Sequence, residues 1–565
     1  MLLPHVYIND VLESTKIEEY GKQDYVTQHI VIKKELDQKL RLVYFVPLLD
    51  LQFMWHPTSD GVVFLKNEWD EGTTIRLNKS QPVFALINQN NQSLFSLAIN
   101  ELINEIELTV GVHEESASVK VTIEMIIPSE NYKLALSVIT GRRKWSEVVQ
   151  EQVNWLYRES GAQLPKIPAT SFEPVLSTWY SFHQHVTDKG ILQESEYYKA
   201  LGARTLILDD GWQTNDSSRR YAYAGDWQVS SEKFPNFTQH VKEVQSLEMN
   251  YLVWLSLPYV GKNSENWNLF KDDFLYVDEF QHAGVLDIRK EKVRAYLIKT
   301  ITSFIDKYSI DGLKIDFLET FFLDKTINFE ISKGLLLLLE ELKKSLIDKP
   351  NFLIEFRQDY INPLMMQYCQ IVRSKDCPNN YMLNRIRTVD LRLSCPFTAV
   401  HSDMIMWNKD EKIEDAALHI INTMFSVPQL SMKYDELSKD EIQMITFWLD
   451  FIKEHQELLL HSNFEPSYPQ EGYSVVQVGQ LGVTLTAIFG EKKVITRIEN
   501  LCKKEIFVNG TKVDELYLSL PKGNYKIVIK NCIGVVTSIE NKELLETQLM
   551  VIKVPRSGLL IIDTE

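Results

Sequence analysis

The stretch Glu291-Lys-Val-Arg-Ala-Tyr-Leu-Ile-Lys-Thr-Ile-Thr-Ser-Phe-Ile-Asp306, closely followed by Gly312-Leu-Lys-Ile-Asp-Phe317, contains the unit on which the fold is built. In the first segment apolar residues recur every three or four positions, which predicts an amphipathic helix. The second segment is short and mainly apolar, which is typical of a buried strand. A helix that leads into a buried strand is the repeating unit of parallel α/β folds.

The same alternation of short apolar strands and helices extends over residues 167–462. The predicted strands are Val175–Ser181, Thr205–Asp210, Tyr251–Leu257, Gly312–Phe317, Phe352–Phe356, Gln370–Val372, Asp390–Leu393 and Val427–Ser431. This repetition fits a (β/α)8 TIM barrel better than a doubly wound sheet. Because no glycine-rich phosphate-binding loop follows any of these strands, a nucleotide cofactor has no support.

The segments on either side of the predicted barrel alternate with a period of two residues instead. Residues 1–166 contain stretches such as Arg41-Leu-Val-Tyr-Phe-Val46 and end in a helical pattern, which predicts an N-terminal β-sandwich with a linker helix. Residues 463–565 predict a smaller antiparallel C-terminal β-sandwich, in which Asn509-Gly510 indicates a hairpin turn. The sequence therefore predicts three domains, with the barrel in the middle.

Charge and cysteine content limit the classes of partner. The chain of 565 residues carries 60 Lys and Arg against 77 Asp and Glu, a net charge of −17. Proteins that bind a phosphate backbone are expected to be basic, so nucleic acid and anionic membrane are excluded as expected partners. The odd number of cysteines, 5, without a Cys-x-x-Cys pair, argues against a disulfide framework or a zinc ribbon. We therefore expect no metal and no cofactor.

The N-terminal sequence gives the expected location. It lacks the basic start and apolar core of a signal peptide, and no apolar run approaches the ~20 residues that span a bilayer. A soluble cytoplasmic protein is the prediction. The oligomeric state cannot be inferred from the sequence.

Polar residues at the ends of predicted barrel strands are the candidates for chemistry, because reactive groups in TIM barrels emerge at that face. Lys314 and Asp316 are two positions apart, so both side chains point to the same side of their strand. An ammonium beside a carboxylate favours the ionised acid, which suits a nucleophile or a ligand-binding lysine. A buried structural ion pair is the alternative.

A second candidate is the sequence Asp209-Asp210-Gly-Trp212 at the end of another strand. These carboxylates could chelate a metal, cap a helix or hold sugar hydroxyls; further hard ligands for a metal are not evident in the pattern. Trp212 or Trp254 could stack on a sugar. Aromatic residues are concentrated near the same strand ends, which favours a carbohydrate site: Trp179, Tyr180, Trp212, Trp227, Trp254 and Trp407.

A series of short motifs, in order along the barrel, resembles glycoside hydrolase family 36, the α-galactosidases and their relatives. The resemblance rests on Thr205-Leu-Ile-Leu-Asp-Asp-Gly-Trp212, Gly225-Asp-Trp with Lys233-Phe-Pro, Val253-Trp-Leu, Val285-Leu-Asp287 and Asp311-Gly-Leu-Lys-Ile-Asp316. Each motif alone is weak, whereas the ordered series is specific. It implies a retaining enzyme that hydrolyses small α-galactosides or oligosaccharides with terminal α-linked galactose.

The resemblance also implies roles for single residues. Asp316 matches the nucleophile, and Asp376, in Ser374-Lys-Asp-Cys-Pro, matches the acid/base, with Asp403 in Ser402-Asp403 as a rival. The residues expected to bind substrate are Asp209, Asp210, Trp212, Trp254, Lys314, Arg357 and Arg385.

Two departures from the family pattern leave the glycone open. The family's Cys-x-x-Gly-Gly-Gly loop after strand 5 is replaced by Arg357-Gln-Asp359, and Gln281 and His282 stand where an arginine is expected. The alternatives are an α-N-acetylgalactosaminidase, another α-glycoside-acting or transglycosylating relative, and a barrel that only binds carbohydrate.

Overall fold

The N-terminal part of the computed structural model is a sandwich of two sheets, antiparallel except where Lys66–Asn67 pairs in parallel with Ile106–His113. The structure describes residues 2–564 except 14, 16, 23, 33–37, 323–324 and 497–501. In the strand Ser118–Ile126 alternate residues are buried between the sheets, which is the expected consequence of period-two patterning. One sheet contains His5–Ile8, Val11–Leu12, Lys39–Pro47, Lys66–Asn67, Thr73–Ile75, Ile106–His113 and Ser118–Ile126. The other contains Ile17–Lys22, Tyr25–Ile32, Phe53–Trp55, Val83–Ile87, Gln92–Ile99 and Tyr132–Lys144.

A closed parallel barrel follows the helix Trp145–Ser160, which packs on the second sheet. The first strand pairs with both the second and the last, so the sheet closes on itself. The strands are β1 (Val175–Ser177), β2 (Thr205–Leu208), β3 (Asn250–Ser256), β4 (Gly312–Asp316), β5 (Leu353–Arg357), β6 (Ile371–Arg373), β7 (Ala399–Ile405) and β8 (Val427–Leu430).

Helices surround this barrel. The α-helices of this region are Trp179–Phe182, Asp188–Ala200, Phe237–Ser246, Trp267–Phe270, Glu291–Tyr308, Asn328–Ser345, Pro363–Met366, Tyr381–Ser394, Ile413–Ile421, Lys439–Glu454 and Gln456–His461. A small sheet of Tyr259–Gly261, Phe274–Asp278 and Ala283–Leu286 is inserted between β3 and β4. None of the helices in the described part of the chain is long and apolar enough to cross a membrane.

The C-terminal part is again a pair of sheets. The larger contains Asn463–Ser467, Val475–Gln480, Val483–Ile488, Lys504–Asn509, Gly523–Lys530, Val536–Leu544 and Leu559–Thr564. The smaller contains Val494–Thr496, Glu515–Leu520 and Gln548–Lys553. The predicted fold class, a TIM barrel between two β-sandwiches, is thus confirmed. The domain boundaries at 166/167 and 462/463 stay predictions.

Three local predictions are wrong. The predicted strand Val175–Ser181 ends at Ser177, and its last three residues belong to the helix Trp179–Phe182. Asp390–Leu393, predicted as the seventh barrel strand, belongs to the helix Tyr381–Ser394, and the seventh strand is Ala399–Ile405. The four residues alternate in polarity, but that short pattern is part of a longer helical one. Asn509-Gly510 does not close a hairpin, because the strand after it joins the other sheet and the Asn509 amide donates to the carbonyls of Val513 and Val554.

A buried carboxyl joins the three parts of the chain. Asp390, on the barrel helix, accepts a hydrogen bond of 2.8 Å from Nε1 of Trp55 in the N-terminal sandwich. The Tyr473 hydroxyl, from the C-terminal region, donates to the same oxygen. Burial raises the pKa of Asp390 to about 8, so the protonated carboxyl is favoured at neutral pH.

We therefore expect Asp390→Ala to destabilise the protein by about 3 kcal/mol, because two buried donors would lose their acceptor. Asp390→Asn imitates the protonated acid. Since the folded-state pKa lies above the unfolded value, the stabilisation from Asp390 is lost as the pH rises toward 8. Tm measured from about pH 5 to about pH 9 should shift in favour of the Asn variant as the pH rises. A Tm difference that is constant with pH would contradict this account.

Candidate active site

The site is built from alternate residues of the barrel strands. Val175, Ile207, Leu252, Leu353, Ile371 and Ala399 form an apolar cluster with one member from each of six strands. Two residues further along, on the same side, polar side chains follow at β2, β5, β6 and β7, whereas Trp254 stands at that place in β3. That second layer includes Asp209, Lys314, Glu355, Arg373 and His401, all buried. An apolar floor therefore carries a charged layer toward the carboxyl ends of the strands.

Asp316, the last residue of β4, lies directly above this layer. Its Oδ2 accepts a hydrogen bond of 3.2 Å from Nε1 of Trp254 on β3, and its Oδ1 accepts one of 2.9 Å from the backbone N–H of Phe317. The Arg357 Nη1 on β5 lies 3.3 Å from the same Oδ1. The side chain of Asp316 is only 9% exposed, so these contacts fix the direction of its carboxylate.

Lys314 forms an ion pair with Asp209 and not with Asp316, which lies two positions further along β4. Its Nζ lies 2.5 Å from Oδ2 of Asp209 at the end of β2, and both side chains are buried. The adjacent Asp210 accepts hydrogen bonds of 2.8 Å from Gln184 and 2.7 Å from Gln213. Burial, opposed by these hydrogen bonds, raises the pKa of Asp210 to about 6. At the end of β2, Asp209 is therefore held by an ion pair, whereas Asp210 is held by hydrogen bonds from two amides.

Arg373, at the end of β6, joins three carboxylates beneath the barrel mouth. It is almost fully buried, and its guanidinium lies 2.5 Å from Asp403, 3.0 Å from Asp376 and 3.6 Å from Glu355. Burial acts to raise the pKa of Asp376, but the positive charges of Arg373, Lys314 and Arg357 outweigh it and bring that pKa to about 2. Asp376 is therefore an anion in the free protein.

Asp403 differs from Asp376 in exposure. Asp403 is fully buried on β7, and its Oδ2 accepts hydrogen bonds from the Tyr180 hydroxyl at 2.8 Å and the Cys377 backbone N–H at 2.6 Å. Burial raises its pKa. The side chain of Asp376 is 47% exposed, so of these two carboxyls only that of Asp376 is open to a ligand at the mouth.

The last residue of β5, Arg357, places a cation beside Asp316. Arg357 donates through Nη2 to Glu319, and the Tyr360 hydroxyl donates to the other oxygen of Glu319. The chain departs from the family pattern at this position, and Arg357 consequently lies in contact with the candidate nucleophile.

Two residues that were predicted to bind substrate, Arg385 and Trp212, lie away from this site in the structure. Arg385 donates to the Gly472 carbonyl and to Asn422, because its helix turns the side chain toward the C-terminal region. Trp212 is fully buried; its Nε1 donates to the Trp254 carbonyl, and its ring packs on Phe304. Its role is therefore in the core, and it presents no face to a sugar.

The sequence patterns do not predict that Glu355 belongs to the charged layer or that Arg373 links three carboxylates. Glu355 lies in register with Lys314 on the neighbouring strand, and Gln429 of β8 donates to it across the barrel. The signal available was the two-residue spacing from Glu355, on the predicted strand Phe352–Phe356, to Arg357, one residue beyond that strand. The pairing partners, however, come from strands that are distant in sequence.

One group in the described residues could hold a metal ion by its geometry. Glu68, His113 and Glu115 each place a ligand atom within 4.8 Å of the others, on the N-terminal sandwich. Glu68 also pairs with Lys120 at 2.6 Å, which offsets its charge. The group is not part of the barrel site.

Comparison with known proteins adds to this geometry. The family model described as Melibiase matches residues 157–332, a segment that includes Asp209, Lys314 and Asp316 and ends before Asp376. "Alpha-galactosidase 2" of Pediococcus pentosaceus is 27% identical over 217 residues, which are 37% of this chain and 28% of that protein. "Alpha-galactosidase AgaA" of Geobacillus stearothermophilus is 29% identical over 149 residues, 25% of this chain and 20% of that protein. The aligned part thus spans less than a third of either relative.

Solved structures match over almost the whole chain. A variant of the family 36 α-galactosidase AgaA from Geobacillus stearothermophilus, in complex with stachyose, superposes with a TM-score of 0.65 at 16% identity, covering 98% of this chain and 81% of that one. An α-galactosidase from Thermus thermophilus superposes with a TM-score of 0.55 at 13% identity, covering 83% and 98%. The chain therefore shares the fold of these family 36 structures, and its residues 157–332 are similar to the Melibiase family.

Proposed function

We propose that this protein is a retaining α-glycosidase that releases terminal α-linked galactose from small galactosides or oligosaccharides. The observation that carries the proposal is the buried Asp316 carboxylate at the end of β4, oriented by Trp254 and Phe317. It lies inside the segment that matches the Melibiase model. Structures of AgaA contain stachyose and raffinose, and we propose oligosaccharides of this kind as the substrate class here.

The proposed reaction is a double displacement. Asp316 attacks the anomeric carbon; a bond forms between that carbon and the carboxylate oxygen, and the bond to the leaving oxygen breaks. Asp376 gives its proton to the leaving oxygen. Water then attacks the anomeric carbon of the glycosyl-enzyme, and the bond to the Asp316 oxygen breaks. Asp376 takes a proton from that water, and galactose leaves with its α-configuration retained.

The other charged residues would hold the sugar. Asp209, paired with Lys314, and Asp210, paired with Gln184 and Gln213, present carboxylate oxygens that can accept from sugar hydroxyls. Arg357 would donate to a sugar oxygen near Asp316.

Asp376 must be protonated in the complex with substrate, although its pKa is about 2 in the free protein. A bound sugar displaces water from the half-exposed carboxyl, and desolvation favours the neutral acid. We expect kcat/KM, which reports on the free enzyme, to fall at a lower pH than kcat, which reports on the complex. Rate profiles over a broad pH range check this, and coincident alkaline limbs would contradict it.

A panel of p-nitrophenyl α-glycosides tests the function. Initial rates on the galactoside, the N-acetylgalactosaminide and the glucoside should show preferred turnover of the galactoside. Preference for the N-acetylgalactosaminide or the glucoside would show that the enzyme acts on that sugar and not on galactose. Absence of turnover on all three and on raffinose, with sugar binding retained, would favour a barrel that only binds carbohydrate. Product analysis at high acceptor concentration separates hydrolysis from transglycosylation.

We also propose a cytoplasmic location. The five cysteines, all unpaired, support a reducing compartment. Cell fractionation with an antibody against the protein tests this, and recovery outside the cytoplasm would contradict it.

A further inference from the structure

We propose that Asp60, in the N-terminal sandwich, is a positioning residue for the acid/base carboxyl of the barrel and acts through Arg387. The inference rests on the proposed function. The Arg387 guanidinium binds Asp60 through two hydrogen bonds, Nε to Oδ1 at 2.9 Å and Nη2 to Oδ2 at 3.1 Å. Its remaining nitrogen, Nη1, donates to the backbone carbonyl of Asp376 at 3.0 Å.

This arrangement holds Asp376 from two directions. Its carboxyl is held by Arg373 on β6, from within the barrel, at 3.0 Å. Its carbonyl is held by Arg387, whose direction is set by the other domain. A planar guanidinium with a bidentate partner has little freedom to rotate, so the third hydrogen bond has a fixed direction.

Asp60 is itself held in place by its turn. It has a φ of 50°, in the left-handed region, and the backbone N–H of Val62 donates to the Ser59 carbonyl at 2.9 Å across it. Arg387 is one turn before Asp390 on the same helix, and Asp390 is anchored by Trp55. The Gln81 amide of the sandwich also donates to the Ser394 carbonyl of this helix at 2.8 Å. Of these contacts, the Asp60–Arg387 pair is the one that continues to the Asp376 carbonyl.

The sandwich also contacts the loops that follow β4 and β5. The Asn78 amide donates to the carbonyl of Leu318, two residues after Asp316, at 2.9 Å. The Ser80 N–H donates to the Asp359 carbonyl at 2.8 Å. Because the sandwich contacts the loop after Asp316 directly and the backbone of Asp376 through Arg387, it can set the relative position of the two carboxyls. A misplacement of about 1 Å costs on the order of 100-fold in rate.

The experiment compares two substrates that differ in their need for a proton. Hydrolysis of methyl α-galactoside needs protonation of the leaving oxygen, whereas α-galactosyl fluoride releases an ion that leaves with little assistance. For Asp60→Asn we expect kcat/KM to fall about 10-fold or more on the methyl galactoside, with less than about 3-fold loss on the fluoride. An ion pair that only joined two domains would not change this ratio.

Glu151→Gln is the matched control. Glu151 forms a comparable two-point pair with Arg143, between a sandwich strand and the linker helix. The control should leave the substrate ratio unchanged. Arg387→Lys, which keeps the charge but cannot make three directed hydrogen bonds, should reproduce the selective loss and serves if Asp60→Asn does not fold.

The two substrates separate the positioning role of Asp60 from the proposed function of the protein. Equal loss on both substrates, or no loss, in a folded variant would overturn the positioning role while leaving the proposed function intact. A wild-type protein that cleaves neither substrate would overturn the proposed function itself.

Discussion

Asp316→Asn is expected to lower kcat on aryl α-galactosides by about 10⁴-fold or more, because it removes the group proposed to form the glycosyl-enzyme. The asparagine amide keeps nearly the same shape, and its Oδ1 can still accept from Trp254 or Phe317. The fold and the sugar affinity should therefore persist. Loss of turnover with retained binding would place the defect in the chemical step.

External azide gives this experiment a second readout. In the smaller variant Asp316→Ala, azide can enter the space that the carboxylate leaves and attack the anomeric carbon directly, which should restore turnover and give the β-galactosyl azide. Asp311→Asn is the matched control, since Asp311 precedes the opposite end of β4 and accepts from Gln245 and from the Tyr251 N–H. The control should keep kcat within a few-fold of wild type. Near-normal activity of Asp316→Asn would contradict the assignment.

Asp376→Ala is expected to give a loss that depends on the leaving group. General acid catalysis contributes about 10²–10⁴-fold, so methyl galactosides and raffinose-type substrates should lose about that much. Galactosides with strongly acidic leaving groups should lose far less in the first step. With azide, the variant should form the α-galactosyl azide, because the nucleophile Asp316 remains.

The rival acid is tested in the same experiment. Asp403 is fully buried and accepts hydrogen bonds from Arg373, Tyr180 and the Cys377 N–H, so its replacement should change turnover of all leaving groups alike. A leaving-group-dependent loss in Asp403→Asn, together with a uniform loss in Asp376→Ala, would exchange the two assignments. The alkaline limb of kcat should disappear in the variant of the true acid.

Motifs at the ends of strands could be read from the sequence because their chemistry is local. Asp209, Lys314 and Asp316 follow short apolar runs, and the two-residue spacing of Lys314 and Asp316 fixes them on one side of β4. The barrel itself was predictable for the same reason. Its seventh strand was not, because four alternating residues from Asp390 to Leu393 cannot be distinguished from one face of a helix.

Contacts between segments that are far apart along the chain could not be predicted from the sequence. Lys314 was expected beside Asp316, yet its close partner is Asp209, which is more than a hundred residues away along the chain. The position of Arg385 after the acid/base motif predicts a contact with substrate, but the helix directs its side chain toward Gly472, and Arg387 instead reaches the Asp376 loop. Such choices depend on helix rotation and on the neighbouring domain, which no local pattern encodes.

The stereochemistry of the first product tests the central claim most directly. Proton NMR of the wild-type protein acting on an α-galactoside, recorded before mutarotation equilibrates the sugar, identifies the anomer that is released. Double displacement through Asp316 predicts that α-galactose appears first and that the β-anomer accumulates later. If β-galactose is released first, water attacks the anomeric carbon directly, and the assignment of Asp316 as a covalent nucleophile is contradicted.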